Sequence, residues 1–374
     1  MNRAAFGSQS IVTANNLFLS LSAIMFLEGE NFKVWFIVSQ TFFITQTFLR
    51  SAFFEPANFL KRQIRITSTN IVFILLLICI FNFIVIGISF EFSFTNAFLM
   101  SLAVCFSLFQ DNLRYKFISF NPQKVAIADG LVLLLTILLI LLTKISTVLF
   151  FTGLYIALPN LISILYLMRL PKNEVVEQDE FNFRSKPIYS ISSFTELGLN
   201  QALTVMSAFF LSNSDLRNLR AMMLFAAPLT SLRLFSWSGL IVRTSLNKGS
   251  NGKKEMNLRA KFIFYSPLAV LLFMFSDSKF LSFLPIDSKS SLALVLLTTL
   301  MSLVFVEKAV RIRQLGNFMH VLYFSASFPL ISIVYLAVFG TKSNVYYLII
   351  CQFAVTLLNS VLSLLILRDD KIID

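Results

Sequence analysis

Charge and histidine are both scarce in this chain of 374 residues. Charged side chains make up 13% of it, whereas soluble domains carry roughly 25%. His320 is the only histidine, which excludes a metal cluster built on histidines. Cys79, Cys105 and Cys351 all fall inside apolar segments, which is typical of small buried side chains rather than disulfides or metal ligands. No glycine-rich nucleotide-binding loop occurs, so the sequence predicts no cofactor.

Long apolar segments are what the chain has in abundance, since 57% of its residues are hydrophobic. These residues come in blocks of about 17 to 25, the length that crosses a hydrocarbon core of ~30 Å. The sequence therefore predicts an all-α, polytopic membrane protein with about twelve transmembrane helices. The predicted spans are 10–28, 33–54, 68–90, 94–112, 124–143, 146–168, 190–212, 217–243, 260–276, 290–312, 318–339 and 343–367. Pro159, Pro228 and Pro329 interrupt the sixth, eighth and eleventh of them, where kinks are expected.

The distribution of basic residues orients these spans. With the amino terminus placed in the cytoplasm, 23 Lys and Arg residues lie in inner connections and 7 in outer ones, Arg233 being set aside inside a span. Such an excess marks the cytoplasmic side. The sequence thus predicts a multi-pass protein of the cytoplasmic membrane with both termini inside. The net charge of +12 is then a topology signal, and no nucleic-acid partner is expected.

One connection is much longer and more polar than the others. It covers residues 170–189 and predicts an amino-terminal lobe of six helices over 1–169, a cytoplasmic linker over 170–189 and a carboxy-terminal lobe of six helices over 190–374. Every external connection is short, which leaves no room for an external catalytic domain. The sequence therefore predicts that the protein is not an enzyme.

The two predicted lobes resemble each other at their starts. Asn15-Asn16 corresponds to Asn200-Gln201 at an offset of 185, and Ser22-Ala23 corresponds to Ser207-Ala208 at the same offset. One span later, Thr47-Phe48-Leu49-Arg50 corresponds to Thr230-Ser231-Leu232-Arg233 at an offset of 183. Two six-helix repeats that start on the same side are related by an axis along the membrane normal. Transporters that rock two bundles about a central site have this arrangement.

Two arginines are predicted to lie within the membrane, where a charge is costly and marks a functional site by default. Arg50 and Arg233 each sit about two-thirds of the way from the outer to the inner face. They are candidates to line a cavity and attract an anionic substrate. The alternative is structural, namely ion pairs with Glu55, Asp129 or Glu196 that hold helices together.

A polar face is predicted on the seventh span. Glu196 and Asn200 are four residues apart and so share one helix face, with Gln201 beside them, while Asn15 and Asn16 occupy the matching depth on the first span. Polar groups in lipid must find partners, so these side chains are expected to face inward. They either bond other helices or line a polar pathway between the lobes.

Asp129 begins the fifth span close to the cytoplasmic side. The sequence favours a structural role for this carboxylate, paired with Arg114 or Lys124.

Several segments together resemble a known superfamily. They are Ala14-Asn15-Asn16 through Leu27, Leu49-Arg50-Ser51-Ala52-Phe53-Phe54-Glu55-Pro56, Gln110-Asp111-Asn112-Leu113-Arg114-Tyr115, Ala126-Ile127-Ala128-Asp129, Asn200-Gln201 and Leu219-Arg220-Ala221 to Pro228. The chain resembles the polysaccharide-flippase (O-antigen) branch of the multidrug/oligosaccharidyl-lipid/polysaccharide (MOP) exporter superfamily. The resemblance covers most of the chain, although its motifs are degenerate.

The resemblance implies two six-helix lobes around a cationic cavity and export of a lipid-linked oligosaccharide by alternating access. It also implies that the intramembrane arginines engage the diphosphate of an undecaprenyl-linked sugar, for which bidentate arginine contacts are suited. The implied partners are the lipid bilayer, the lipid-linked glycan, polysaccharide-assembly proteins and a coupling ion, H⁺ or Na⁺.

Other functions remain open at this point. A multidrug or small-molecule antiporter of the same superfamily would need a titratable carboxylate at depth, for which Glu196 is the candidate. A major-facilitator carrier would show a Gly/Asp/Arg pattern after the second span, which residues 56–62 lack. A polytopic glycan polymerase would need a large external loop, which is not predicted.

Overall fold

The computed structural model describes residues 3–49, 80, 94–118, 121–145, 147–169, 205, 208, 210–232, 258–276, 286, 288–314 and 345–369. The chain divides into two compact units. The first comprises Met1–Gln46 and Gln63–Phe181, and the second comprises Thr47–Arg62 and Asn182–Asp374. The sequence-based lobes, 1–169 and 190–374 with the linker 170–189, stay a prediction.

Helices make up the regular structure of the described residues. In the first unit they are α1 (Arg3–Phe26), α2 (Gly29–Leu49), α3 (Phe94–Ile118), α4 (Pro122–Leu142), α5 (Val148–Phe151), a π-helical segment (Thr152–Ala157) and α6 (Leu158–Met168). In the second unit they are α7 (Asn213–Phe225), α8 (Leu258–Phe275), α9 (Lys289–Gln314) and α10 (Val345–Asp369). The predicted span 318–339, the span 68–90 except for residue 80, and most of 190–212 lie outside the described residues. The predicted number of twelve helices therefore stays a prediction.

Several of the described helices are strongly apolar. Among the described residues, α4 is the one helix that is long and apolar enough to cross a membrane by length and composition. Shorter apolar helical segments of 10–17 residues occur at Ser10–Phe26, Phe98–Asp111, Thr152–Met168, Ala260–Phe275, Lys289–Phe305 and Val345–Val361. On α4, Leu134 is 65% exposed and Leu141 is 74% exposed. Large apolar side chains on an outer helix face suit a lipid environment better than water.

Short connections join neighbouring helices of the first unit. Between α1 and α2 the chain turns within two residues, because Gly29 adopts a positive φ of 49°, a conformation that is costly for residues with a Cβ atom. Pro122 opens α4, where its missing N–H costs nothing. Both residues lie where a helix begins.

Each unit is held by particular helix pairs. In the first unit α1 packs along α4, and α6 packs against both α3 and α4. In the second unit α9 packs against α8 and α10. The apolar side chains buried on α9 and α10 include Leu296, Leu300, Leu303, Leu348 and Ile349, which are each at most 5% exposed.

The segment that was expected to kink at Pro159 contains a π-helical turn over Thr152–Ala157, directly before the proline. Within it the N–H of Leu158 donates to the carbonyl of Gly153, five residues back. Pro159 has no N–H to donate to the carbonyl of Tyr155 four residues back. The hydroxyl of Thr136 on α4 donates to that carbonyl instead, over 3.4 Å. A π turn beside a proline is a frequent cause of a bend in a membrane helix.

Candidate functional site: a buried polar cluster in the first unit

Five buried polar side chains from four helices meet inside the first unit. This polar cluster consists of Ser8 of α1, Gln110 and Arg114 of α3, Asp129 of α4 and Ser163 of α6. Arg114 and Asp129 are each 2% exposed, and Ser8 and Ser163 are fully buried. In the predicted orientation the cluster lies toward the cytoplasmic ends of these helices.

An ion pair forms the centre of the polar cluster. The Nε of Arg114 lies 2.9 Å from Oδ2 of Asp129. A second carboxylate, Asp111, lies one turn before Arg114 on α3, with its Oδ1 3.5 Å from Nη1. One guanidinium thus stands between two carboxyl groups. A buried pair of this kind needs further hydrogen bonds to offset the cost of taking both charges out of water.

Neutral polar groups complete the coordination of the pair. Ser8 donates its hydroxyl hydrogen to Oδ2 of Asp129 and accepts from Nη2 of Arg114 over 3.1 Å. Gln110 donates through Nε2 to Oδ1 of Asp129 over 3.2 Å and to the hydroxyl of Ser163 over 3.3 Å. Both oxygens of the Asp129 carboxylate therefore have partners, and these partners come from α1 and α3.

Polar contacts between helices continue along the first unit beyond the cluster. The side-chain amide of Asn160 donates to the Ser107 hydroxyl over 2.9 Å and to the carbonyl of Ile156 over 2.7 Å. Beyond the end of α4, the hydroxyl of Thr143 lies 2.9 Å from the hydroxyl of Tyr155 in the π-helical segment. Side-chain hydrogen bonds therefore join α3 to α6, and the end of α4 to the π-helical segment.

The polar cluster is suited to holding helices, not to bond-making chemistry. Its hydroxyls belong to Ser8 and Ser163, and their partners are charged or amide groups rather than a neutral base. No group of three His, Cys, Asp or Glu residues that could hold a metal ion occurs within the described residues. What the arrangement does is fix the mutual position of α1, α3, α4 and α6.

One of the structural predictions from the sequence is confirmed here. Asp129 pairs with Arg114, which was one of the two partners expected for it. Gln110 and Arg114 come from one of the segments that resemble the exporter superfamily, and Asp129 comes from another. The structure brings these two segments together. Ser8 and Ser163 were not predicted, because a single serine in an apolar helix gives no signal of which partner it meets.

Most of the predicted substrate-binding residues lie outside the described residues, namely Arg50, Glu196, Asn200, Gln201 and Arg233. Their roles stay predictions. Asn15 and Asn16 are described and lie half-buried in the middle of α1. The Oδ1 atom of Asn15 is buried and has no hydrogen-bond partner.

A residue that the sequence did not point to shares this property. Gln40, in the middle of α2, is 1% exposed. Neither its Oε1 nor its Nε2 atom has a hydrogen-bond partner.

Comparison with known proteins gives structural matches only. The sequence matches no protein-family model and no curated protein at a significant level. Among solved structures, an inward-facing multidrug resistance MATE family transporter of the MOP superfamily covers 99% of this chain and 94% of its own length. Its TM-score is 0.57 at 11% sequence identity.

A second structure, an outward-facing multidrug resistance MATE family transporter of the same superfamily, covers 98% of this chain and 95% of its own length. Its TM-score is 0.51, again at 11% identity. At this level of identity the likeness concerns the fold, and it extends over nearly the full length of both chains. The chain has the all-α, polytopic membrane fold of the MATE family transporters of the MOP superfamily.

Proposed function

We propose that this protein is a transporter that moves a lipid-linked oligosaccharide across the cytoplasmic membrane by alternating access. The observation that carries the transport part of this proposal is the full-length likeness to MATE transporters in two states, one inward-facing and one outward-facing. A single fold that is found in both states suits a mechanism in which two bodies move about a central site. On this proposal the protein is not an enzyme.

The buried polar contacts of the first unit support the proposal that its helices move together as one rigid body. The polar cluster connects α1, α3, α4 and α6 through an ion pair and side-chain hydrogen bonds between helices. Hydrogen bonds are directional, so they fix the register of helices that apolar contacts alone allow to shift. We infer that α1, α3, α4 and α6 keep their mutual arrangement while the substrate site opens in turn to each side of the membrane.

The proposal that the substrate is a lipid-linked oligosaccharide is based on the sequence. Arg50 and Arg233 are proposed to bind the diphosphate of the lipid-linked sugar, because a planar guanidinium matches phosphate oxygens in bidentate geometry. Asn15, Asn16, Glu196, Asn200 and Gln201 are proposed to line the polar pathway. The lipid-linked glycan, polysaccharide-assembly proteins and a coupling ion, H⁺ or Na⁺, are the proposed partners. Both termini are placed in the cytoplasm by the distribution of basic residues.

Substitution of the deeper arginine tests the proposal. We expect Arg233→Ala to abolish export of the glycan, since losing a charge-assisted contact to phosphate costs roughly ten- to a hundredfold in affinity. The measurement is surface polysaccharide in a strain whose own gene is deleted, together with translocation of a lipid-linked saccharide in vesicles that contain the purified protein. Lys144→Ala is the matched control, because Lys144 is exposed at the end of α4. Wild-type levels of surface glycan in Arg233→Ala would remove Arg233 from the mechanism.

The second candidate function is a multidrug antiporter, which is favoured because both structural matches are multidrug resistance transporters. The two functions differ in what the purified protein moves. A flippase moves a lipid-linked saccharide across vesicles, whereas an antiporter extrudes a cationic dye when a proton or sodium gradient is imposed. Dye extrusion without movement of the lipid-linked saccharide would favour the antiporter.

A further inference from the structure

One helical stretch of the first unit, formed by α5, the π-helical segment and α6, has different partners at its two ends. At one end α6 is joined to α3. Asn160 donates to the Ser107 hydroxyl over 2.9 Å, and Gln110 donates to Ser163 over 3.3 Å. Ser163 belongs to the polar cluster, so α6 is one of the helices whose mutual position that cluster fixes.

At the other end α5 contacts the start of α2. The backbone N–H of Val148 donates to Oδ1 of Asn31 over 3.3 Å. The ring of Phe151 meets that of Trp35 edge to face, with 6.3 Å between the ring centroids, and both side chains are buried. Neither α2 nor α5 contributes a side chain to the polar cluster. The π-helical segment therefore joins a part of the stretch that is tied to the cluster to a part that is not.

Tyr155, within the π-helical segment, binds the connection between α4 and α5. Its hydroxyl donates to the carbonyl of Thr143, lies 2.9 Å from the hydroxyl of Thr143 and accepts from the N–H of Ile145 over 3.4 Å. Its ring is fully buried and packs edge to face on Phe151, with 4.8 Å between the centroids. The polar contacts of this hydroxyl form the Tyr155 clamp, which requires that the side chain keep its present direction from the helix axis.

A π-helical turn contains one residue more than the α-helical turn that would replace it. Conversion to a continuous α-helix would move the acceptor of the Leu158 N–H from the carbonyl of Gly153 to that of Leu154. With α6 held in place, α5 would then turn by about 100° and shift by about 1.5 Å, which is the step of one residue in an α-helix. Such a turn would take Phe151 away from α2 and open the Tyr155 clamp.

We propose that the segment Thr152–Ala157 converts between the π-helical form and a continuous α-helix during transport, and that the Tyr155 clamp holds the π-helical form. This inference rests on the transport part of the proposed function and adds to it the part of the first unit that moves. The helices of the polar cluster keep their mutual arrangement, whereas α5 and the connection before it turn. Single π-helical turns inside α-helices are frequent at functional sites.

Deletion of Gly153 tests this inference. Removing one residue from the segment leaves a continuous α-helix in which α5 and α6 keep their present directions. The variant thus retains both sets of contacts and loses the extra residue that the conversion requires. Gly153→Ala is the matched control, because it keeps the number of residues and its Cβ atom would meet no other atom within 4 Å. Both variants are made in the full-length protein.

Two properties are measured for each variant. Hydrogen exchange, followed by mass spectrometry of the purified protein in detergent, reports how often the amides of residues 153–158 lose their acceptors. Transport of a lipid-linked saccharide, and of a cationic dye for the second candidate function, is measured in vesicles that contain the protein. The thermal unfolding midpoint shows whether each variant is folded.

In the wild-type protein we expect the amides of residues 153–158 to exchange at least about tenfold faster than those of residues 161–167 in α6, since the conversion opens the segment while α6 stays helical. Deletion of Gly153 should slow their exchange to the rate of α6 without lowering the unfolding midpoint. It should also reduce transport at least about tenfold, because a conformational step of the cycle is blocked. Gly153→Ala should resemble the wild-type protein in both measurements.

A second variant examines the Tyr155 clamp. Tyr155→Phe keeps the ring and the number of residues and removes the hydroxyl. The amides of residues 153–158 should then exchange roughly fivefold faster than in the wild-type protein, the factor that corresponds to the loss of one net hydrogen bond. This variant decides the proposal if the deletion variant does not fold. An unchanged exchange rate would show that the Tyr155 clamp does not hold the π-helical form.

Different outcomes separate this inference from the proposed function. If residues 153–158 of the wild-type protein exchange as slowly as α6, the segment does not convert, and the proposed function stands. The same conclusion follows if the deletion variant exchanges slowly yet transports at the wild-type rate, since transport would then not need the conversion. If the wild-type protein moves neither the lipid-linked saccharide nor the dye, the transport proposal fails and this inference fails with it.

Discussion

The polar cluster of the first unit and the α9–α10 pair of the second unit hold helices together by different means. In the polar cluster, hydrogen bonds run between helices, as from Gln110 of α3 to Ser163 of α6. On α9, the hydroxyls of Thr298 and Thr299 donate to carbonyls four residues back on the same helix. Apolar side chains are buried along the same helix, and one of them is Leu303, which is 1% exposed.

The difference teaches how each region resists a change in helix position. A hydrogen bond or ion pair between helices is lost when one helix slides past the other, whereas an apolar contact is exchanged for a similar one. In lipid there is no hydrophobic driving force between helices, so apolar pairs depend on close packing alone. We therefore expect the polar cluster to be the less adaptable of the two regions, and substitutions there to be the more damaging.

The largest effect is expected from Arg114→Leu. Removing the guanidinium leaves the buried carboxylate of Asp129 without its cation, and breaking a buried pair in this way typically costs about 3–5 kcal/mol. The measurement is the free energy of unfolding of the purified protein in mixed micelles, followed by circular dichroism. A loss below about 1 kcal/mol, the range of exposed pairs, would contradict a structural role for the pair.

A double variant is the control for this experiment. Arg114→Leu with Asp129→Leu removes both members of the closest pair, so it should recover a large part of the lost stability. If the double variant is no more stable than Arg114→Leu alone, the loss comes from disturbed packing and not from an uncompensated charge.

The sequence predicted the fold class and two of the five residues of the polar cluster, and the reason is physical. An apolar block of membrane-spanning length has few structures open to it other than a helix. A carboxylate at the end of one membrane helix has few possible partners other than the basic residues at the ends of neighbouring helices. Asp129 was therefore predicted to pair with Arg114 or Lys124, and the structure shows the pair with Arg114. Ser8 lies 106 residues from Arg114 in the chain, and only tertiary packing brings them into contact. Gln40 was missed for another reason: its significance is that its amide lacks partners, which no sequence pattern reveals.

An intermediate effect is expected from Leu303→Ala in the second unit. The substitution removes buried apolar volume where α9 packs against its neighbours, at a cost of about 2–4 kcal/mol. Neither substitution at this position leaves a polar group without a partner. Leu303→Met keeps the side-chain volume, so it should cost less than about 1.5 kcal/mol. Unfolding in mixed micelles again gives the comparison. A larger loss in Leu303→Ala than in Arg114→Leu would reverse the ranking of the two regions.

The smallest effect, and the closest matched comparison, comes from two Thr→Val substitutions. In the first unit, Thr136→Val removes the hydroxyl that donates to the carbonyl of Tyr155, a carbonyl that Pro159 cannot serve. We expect a loss of about 0.5–1 kcal/mol in the free energy of unfolding, the range measured for hydrogen bonds between membrane helices.

In the second unit, Thr299→Val removes a donor to the carbonyl of Val295. That carbonyl keeps the backbone N–H of residue 299 as its partner. The same change of one hydroxyl to one methyl group should there be close to neutral, since no backbone group is left unsatisfied. Equal losses in the two variants would mean that the carbonyl of Tyr155 does not depend on Thr136. The difference between the units would then lie in the polar cluster alone, and not along the whole interior of the first unit.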